Sequence, residues 1–180
     1  ICPIAPGVVW ATDFTYIKYK QYFIYLATVI DIFTKQIVGW HVLKNHNSDL
    51  VKLSLFDAIK RSEAIPEIMH SDQGSEYESR EYVNLLKSLG IKVSRSSIAS
   101  PWQNGFQESF FSHFKLELGS PNRFKHPGEL VEAIHKQINY YNQDRIHSKL
   151  KTSPDKFLIK YQQTFKSLTE QANSSTELVS

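Results

Sequence analysis

The sequence predicts an α/β domain built on a mixed five-stranded sheet, with three antiparallel strands followed by parallel strands and helices flanking them. Three observations support this prediction. Three strand-like segments follow one another in the first third of the chain, and helical and strand-like segments then alternate as far as residue 95. The length of 180 residues suits one globular domain, and a hydrophobic content of 41% can supply a substantial core.

The first three strands are expected to pair antiparallel. They are rich in apolar and β-branched residues and cover 8–17, 22–30 and 36–43. The connections at 18–21 and 33–35 are short, as is typical of neighbouring antiparallel strands.

The next part of the chain alternates between helix and strand. A polar helix start at 47–49 leads into apolar residues at helical spacing. A strand at 67–70, a helix through 82–89 and a strand at 91–95 follow. Strands separated by a helix favour parallel pairing through crossover connections, so the sheet is predicted to be mixed.

The second half is predicted to be helical. The polar segment 96–104 is expected to form a mobile surface loop. Apolar spacing then predicts a helix over 106–118, and Pro127 is expected to open another. At Ser153–Pro154 we expect a last helix, with the serine as its cap and the proline at its first position.

The end of the chain has a different composition. From about Gln162 it is rich in Ser, Thr, Gln and Glu and has little apolar content, so it is expected to fray or be disordered. We therefore predict a core over residues 1–160 and a flexible tail over 161–180.

Composition narrows the class of protein. Cys2 is the only cysteine, which excludes an internal disulfide and zinc-type cysteine pairs and favours a reducing, cytoplasmic location. No apolar run reaches the roughly 18 residues of a membrane span. The sequence has neither an initiator methionine nor a signal-peptide pattern, so we expect it to be a fragment of a longer protein.

Charge is unevenly distributed along the chain. Residues 1–90 hold 9 Lys/Arg against 10 Asp/Glu, whereas residues 91–160 hold 11 against 6. A positive second half favours a polyanionic partner through phosphate contacts. Ordinary solvated helix faces are an equally good explanation of this excess when it is taken alone.

Three acids are candidates for a metal site. Asp13 lies inside the apolar first strand, Asp72 follows the fourth strand in a polar break, and Glu108 lies on a helix after a gap of 35 residues. A carboxylate among strand residues costs stability unless it is paired or bound to a metal. Oxygen ligands without cysteines or clustered histidines suit magnesium better than zinc. Asp13 could instead cap a turn or pair with a lysine, and Asp31 is a rival carboxylate.

Other polar residues are candidates for binding a nucleic acid. Lys115 lies seven residues after Glu108 and therefore shares its helical face. Trp102, Gln103 and Asn104 belong to the predicted loop beside Glu108. Arg145 follows a long helix, where a structural or phosphate-contact role is favoured over a catalytic one. For Lys115, an ordinary solvated position on the helix is the alternative.

Five segments, taken in this order and with the 35-residue gap, carry a family resemblance. They are WATDFTYI at 10–17, VIDIFT at 29–34 with IVGW at 37–40, HSDQGSEY at 70–77, SPWQNG at 100–105 leading into ESFF at 108–111, and YNQDRIHS at 141–148. Over about residues 8–160 the chain resembles the catalytic core of bacterial insertion-sequence transposases, the DDE enzymes related to retroviral integrases. Gln73 and Glu76 depart from the common pattern of the second acidic motif.

The resemblance implies a ribonuclease-H-like fold and a polynucleotidyl transferase acting in DNA transposition and integration. It implies that Asp13, Asp72 and Glu108 are catalytic metal ligands and that Lys115 contacts the terminal DNA of the element. The expected cofactor is Mg²⁺, with Mn²⁺ as a substitute and two ions in the active complex. The expected partners are double-stranded DNA, as element ends and target, and further copies of the chain in a homo-oligomer assembled on DNA in the bacterial cytosol.

Two other functions use the same residues and stay open at this point. A ribonuclease-H-type nuclease would hydrolyse a nucleic acid with similar carboxylates but would not join strands. A catalytically silent DNA-binding descendant would keep the fold without the chemistry, although the intact acids argue against it.

Overall fold

The computed structural model describes residues 3–95 and 101–177, without the side chains of 101–104, 106 and 171–177. Five strands and six α-helices are present in these ranges. They are β1 (Val9–Tyr19), β2 (Tyr22–Asp31), β3 (Ile37–Leu43), α1 (Ser48–Ser62), β4 (Ile68–Ser71), α2 (Ser75–Glu78), α3 (Arg80–Ser88), β5 (Lys92–Arg95), α4 (Pro101–Leu118), α5 (Pro127–Gln143) and α6 (Pro154–Glu177), with a 3₁₀ turn at Pro121–Arg123. No helix within these ranges is both long and apolar enough to cross a membrane.

The five strands form one mixed sheet in the order β3-β2-β1-β4-β5. β1 pairs antiparallel with β2, and β2 pairs antiparallel with β3. β4 is parallel to both β1 and β5. This arrangement confirms the predicted fold class, and it makes β1 the middle strand of the sheet.

Helices cover both faces of the sheet. Thr28 and Val29 are neighbours on β2, so their side chains project to opposite faces. Val29 packs in the main hydrophobic cluster with Leu55 of α1 and Leu86 of α3. Thr28 is hydrogen-bonded to Gln107 of α4. The helices α1 and α3 therefore lie on one face, and α4 lies on the other.

The start of α4 differs from the sequence prediction. The helix begins at Pro101 and not near residue 106, so the predicted loop is wrong for residues 101–104, while 96–100 lie outside the described residues. Proline is favoured at the first position of a helix because it has no N–H that needs a partner there. The sequence prediction gave Pro101 too little weight as a helix start.

Two further differences concern a short helix and a helix cap. The short helix α2 (Ser75–Glu78) was not predicted, because four residues are too few to show helical periodicity. Pro154 opens α6 as predicted, but the Ser153 hydroxyl is buried without a hydrogen-bond partner among the described residues, so it does not cap the helix.

The predicted tail is helical over most of its length. The helix α6 continues to Glu177, and Tyr161 stacks on Phe165 one turn later. The chain divides into two compact units, Ile1–Ile138 and Asn139–Ser180. The predicted boundary between core and tail at residue 160 stays a prediction.

Candidate active site

Strand register brings two of the predicted acids to one edge of the sheet. The last paired residues of the parallel strands β1 and β4 are Ala11 and His70. Continuing the same register by two residues sets Asp13 opposite Asp72, the first residue after β4. Adjacent strands lie about 4.8 Å apart, so the two carboxylates can reach a common ion.

Glu108 lies on α4, and the preceding residue, Gln107, connects that helix to β1 and β2. The Gln107 amide nitrogen donates to the Ala11 carbonyl at 2.9 Å, and its amide oxygen accepts from the Thr28 hydroxyl at 3.1 Å. Thr28 is paired with Asp13 across β1 and β2. Gln107 and Thr28 are 2% and 0% exposed, so this clamp is fully buried and fixes α4 beside Asp13.

The electrostatics of Asp13 place it near both other acids. Burial raises the pKa of its carboxyl, the Phe14 N–H lowers it, and the carboxylates of Asp72 and Glu108 raise it further, so that the pKa is about 7. Asp13 lies in an accumulation of negative charge that nearby lysines or arginines do not neutralise. A bound cation would relieve this repulsion.

The backbone orients two of the carboxylates. One oxygen of Asp13 accepts from the Phe14 N–H at 2.7 Å, and one oxygen of Asp72 accepts from the Gly74 N–H at 2.9 Å. Within the described residues, no three His, Cys, Asp or Glu side chains converge closely enough to hold a metal as they stand. Glu108 has an exposed side chain, so it is the acid with most freedom to move towards the other two.

A buried tyrosine lies beneath the acids. Burial raises the pKa of the Tyr77 hydroxyl well above its usual value, and the charges of Asp13 and Asp72 add to the effect. The neighbouring Thr12 side chain lowers this pKa by a smaller amount.

The rival carboxylate Asp31 has a structural role. One of its oxygens accepts from the Gly7 N–H at 2.6 Å. The other accepts from the N–H groups of Phe33 and Thr34 and from the Thr34 hydroxyl, at 2.8–3.1 Å. Its hydrogen-bonding capacity is used in holding the turn after β2, which confirms that it belongs to the strand scaffold.

A fourth acid beside Asp72 is engaged by a histidine. Glu76 is buried and lies 2.5 Å from His46 Nδ1. Burial opposes the charge of Glu76, but its hydrogen bonds, first the one from His46, outweigh burial and lower its pKa. The His46 ring also stacks on Phe14, the residue after Asp13. This departure from the common motif thus links the segment before α1 to the Asp72 loop.

Lys115 lies beside an exposed aromatic residue. Its ammonium group is 4.7 Å from the centre of the Tyr16 ring, and burial lowers its pKa. Lys115 is two turns of α4 beyond Glu108, on the same side of the helix. Its predicted contact with DNA stays a prediction.

The other predicted residues have different outcomes. The side chains of Trp102, Gln103 and Asn104 lie outside the described residues, so their predicted DNA contacts stay predictions. Arg145 belongs to the second compact unit, where its guanidinium lies 5.9 Å from the Tyr141 ring. His70 is hydrogen-bonded to Ser94 and so connects β4 to β5.

The sequence analysis missed Gln107, although a signal was present. Buried apolar residues recur along α4 at Phe111, Phe114 and Leu118, and Gln107 occupies the preceding position of the same stripe. A polar side chain on an apolar helical stripe needs buried partners, which here are the strands that carry the acids.

The mixed five-stranded sheet with its flanking helices defines the class of this protein as an integrase-like core with a ribonuclease-H-like fold. The chain belongs to the integrase core domain family: two models of that description match residues 3–101 and 89–154. It is a bacterial insertion-sequence transposase core by its sequence relatives.

The relatives include transposases of bacterial insertion sequences. The chain is 37% identical over 159 residues to the transposase for insertion sequence element IS904 of Lactococcus lactis, covering 87% of this chain and 63% of that protein. It is 34% identical over 146 residues to a transposase-like protein of Haemophilus influenzae, covering 81% and 68%. The chain thus spans about two thirds of the length of these relatives.

A solved structure shows the same fold. The catalytic core domain of HTLV-2 integrase, determined in complex with magnesium in a trimeric form, superposes with a TM-score of 0.70 at 23% identity. The match covers 86% of this chain and 97% of that core.

Proposed function

We propose that this chain is the catalytic core of a metal-dependent DNA transposase. It would cleave the ends of a mobile element and join them to target DNA by in-line transesterification, without a covalent protein intermediate. Asp13, Asp72 and Glu108 would be its catalytic residues and metal ligands.

One observation carries the proposal: the register of β1 and β4 aligns Asp13 with Asp72. The Gln107 clamp supports the place of Glu108 in the proposed site, because it holds the turn of α4 that carries Glu108 against β1 and β2. The raised pKa of Asp13 reports the proximity of both partners. Structural ion networks pair acids with bases, whereas this group accumulates acids, as a cation site does.

The donor set fits magnesium. All three side chains offer carboxylate oxygens, which hard divalent cations prefer. When bound, divalent ions would polarise the scissile phosphodiester and activate the attacking water or DNA hydroxyl. The backbone N–H groups of Phe14 and Gly74 hold the two aspartates in place, so little reorganisation of these groups is needed.

The remaining residues would position DNA. Lys115, two helical turns from Glu108, would pair with a phosphate of the element end. Trp102, Gln103 and Asn104 would approach the strand from the first turn of α4, and Arg145 would contact phosphate. Since two element ends and a target must be held together, we propose that the protein acts as a homo-oligomer on double-stranded DNA.

A strand-transfer assay with labelled element ends tests the proposal. The protein with Mg²⁺ should convert the label into a longer joined product, and Asp13→Asn, Asp72→Asn or Glu108→Gln should each reduce this product at least 1000-fold, on the order of the effect of removing a central catalytic group. Glu117→Gln, which alters an exposed acid on the same helix, is the matched control and should retain activity.

The same assay distinguishes the alternatives. A nuclease without strand transfer would shorten the labelled strand and give no joined product. A silent DNA-binding descendant would bind the label and leave it intact. Unchanged joining by Asp72→Asn would refute the assignment of that residue.

A further inference from the structure

Two large aromatic side chains lie side by side and exposed on the β1–β2 hairpin. Tyr16 is 58% exposed and Phe23 is 43% exposed. Their rings meet edge to face with centroids 5.4 Å apart. Strand side chains of this size are normally covered, because leaving them in water forfeits the free energy of burying them.

The Lys115 side chain lies against the Tyr16 ring of this pair. The Lys115 ammonium lies 4.7 Å from the centre of the Tyr16 ring. It can reach that ring because the pairing of β1 with β4 ends at Ala11, which leaves the edge of β1 beyond that residue open to α4. Two aromatic faces and a cation at an open strand edge are the components of a site that stacks a base and neutralises its phosphate.

The distances tie this surface to the candidate active site. From Asp13 to Tyr16 is three strand residues, or about 10 Å. From Glu108 to Lys115 is seven helical residues, also about 10 Å. The strand and the helix therefore lead from the acids to the aromatic pair over a length of about three nucleotides of one DNA strand at 3.4 Å each. Since Asp13 and Tyr16 are an odd number of residues apart on β1, their side chains project to opposite faces, so the DNA strand would pass around the open edge of β1, as Lys115 does.

We propose that Tyr16, Phe23 and Lys115 form a stacking site for an unpaired base of the DNA end, about three nucleotides from the phosphodiester held at the acids. In the free protein the ammonium of Lys115 covers the Tyr16 ring; with DNA bound it pairs with a phosphate, and a base takes its place on the ring. This inference names the substrate contact of the site proposed above and rests on that function.

Binding of two fluorescent DNA hairpins tests the inference. The hairpins share one duplex sequence, one ending blunt and the other in a three-nucleotide single-stranded overhang that carries 2-aminopurine, with both overhang polarities prepared. The 180-residue chain should bind an overhang on the order of tenfold more tightly than the blunt end and quench the 2-aminopurine through stacking. Binding is measured with Ca²⁺ in place of Mg²⁺, so that no cleavage is needed.

The variants separate stacking from charge. Tyr16→Thr and Phe23→Thr keep a strand-forming residue and should abolish both the overhang preference and the quenching, while Tyr16→Trp should restore them. Lys115→Gln should reduce the slope of the logarithm of the binding constant against the logarithm of salt concentration by about 1, as expected for the loss of one phosphate contact. Phe56→Thr is the matched control on α1, since Phe56 is 47% exposed and its loss should change neither readout.

Several outcomes overturn the inference. They are equal binding of blunt and overhang DNA by the unaltered protein, unquenched 2-aminopurine, or wild-type behaviour of both threonine variants. This assay needs no chemistry, so its failure and the failure of the proposed function can be distinguished. Overhang quenching together with full strand transfer by Asp72→Asn would refute the catalytic assignment alone. Absence of overhang quenching together with loss of strand transfer in Asp72→Asn would refute the stacking site alone.

Discussion

Asp13 and Asp31 are both carboxylates on the central strands, but their surroundings give them opposite roles. Asp31 accepts three hydrogen bonds from the turn beside it and one from the Gly7 N–H, and so stabilises the turn. Asp13 accepts one from the Phe14 N–H and faces two further acids. A buried carboxylate with few hydrogen bonds and acidic neighbours lowers stability, which is typical of functional sites.

The pKa of Asp13 predicts how the stability of the metal-free protein depends on pH. The folded-state pKa of about 7 lies above the ordinary value of 3.8, so the folded state binds more protons between these limits. Stability should therefore fall as pH rises from about 4 to 7. Asp13→Asn removes this penalty and should raise the free energy of unfolding by roughly 1–3 kcal/mol at pH 8, with little change at pH 4.

Urea denaturation at both pH values measures this effect. Asp49→Asn is the control, because the hydrogen bond from Lys52 lowers the pKa of the exposed Asp49 and its loss should not stabilise the protein at pH 8. A gain from Asp13→Asn that is equal at pH 4 and pH 8 would show that the charge is not responsible.

The buried hydrogen bonds of Gln107 lead to a second prediction, which concerns stability and turnover. Gln107→Leu leaves the Thr28 hydroxyl and the Ala11 carbonyl without this partner, which should lower stability by about 1–3 kcal/mol. It should also displace Glu108, and a misplacement near 1 Å reduces turnover about 100-fold. The measurements are denaturation and strand transfer as a function of Mg²⁺ concentration.

Gln137→Leu is the matched control for that variant. Gln137 of α5 donates to the carbonyl of Phe114, which lies on α4, the helix that carries Gln107. Gln137→Leu should lower stability and leave the Mg²⁺ dependence of strand transfer unchanged. Equal effects of both variants on strand transfer would mean that Gln107 only stabilises α4.

At the scale of elements, the sheet holds the site because α1 approaches it very closely. A side chain at Gly39 on β3 would place its Cβ 2.4 Å from the Ala58 backbone nitrogen and 2.6 Å from its Cα. These are backbone atoms of α1, so they cannot move without shifting the helix. The glycine in the IVGW segment is required for this helix-to-strand contact.

Gly39→Ala should therefore lower the free energy of unfolding by about 1–3 kcal/mol, because α1 and β3 must separate. Thermal and urea denaturation measure the loss. Gly128→Ala is the control, since a Cβ there meets nothing within 4 Å and alanine favours a helix. A neutral Gly39→Ala would mean that α1 adjusts its position freely.

At the scale of the whole molecule, the position of the positive charge along the chain matters more for binding DNA than the net charge does. The net charge is only +3, yet residues 91–160, which include α4 and α5, hold the positive excess, whereas Asp13 and Asp72 belong to the slightly acidic residues 1–90. The basic segment would attract DNA, but the carboxylates of the proposed site would repel a phosphodiester unless cations were bound.

Magnesium should accordingly stabilise the folded protein. At a free Mg²⁺ concentration of 100 times the dissociation constant, the gain is about 2.7 kcal/mol, which appears as a higher melting temperature by calorimetry. Asp72→Asn should abolish this shift, while Glu117→Gln should keep it. Sodium chloride at matched ionic strength controls for screening, and an equal shift in the Asp72 variant would place the magnesium elsewhere.

The strand pattern and the crossovers could be predicted because period-two and helical spacing are local properties of the sequence, while the roles of Asp13, Asp72 and Glu108 come from the family resemblance and stay predictions. The missed features depend on distant contacts. The four residues of α2 show no period, the Ser153 hydroxyl meets no N–H, and the partners of Gln107 are 96 and 79 residues away in the chain.

The sequence by itself determined the family and the order of the five strands, and it supplied the candidate acids, since these follow from residue type and spacing. Only the tertiary structure decided which groups surround the acids: the register of β1 against β4, the clamp from Gln107, the pairing of Glu76 with His46 and the exposure of Tyr16 and Phe23. The physical reason is that burial, pKa and hydrogen-bond partners arise from segments far apart in the chain, and no local pattern records them.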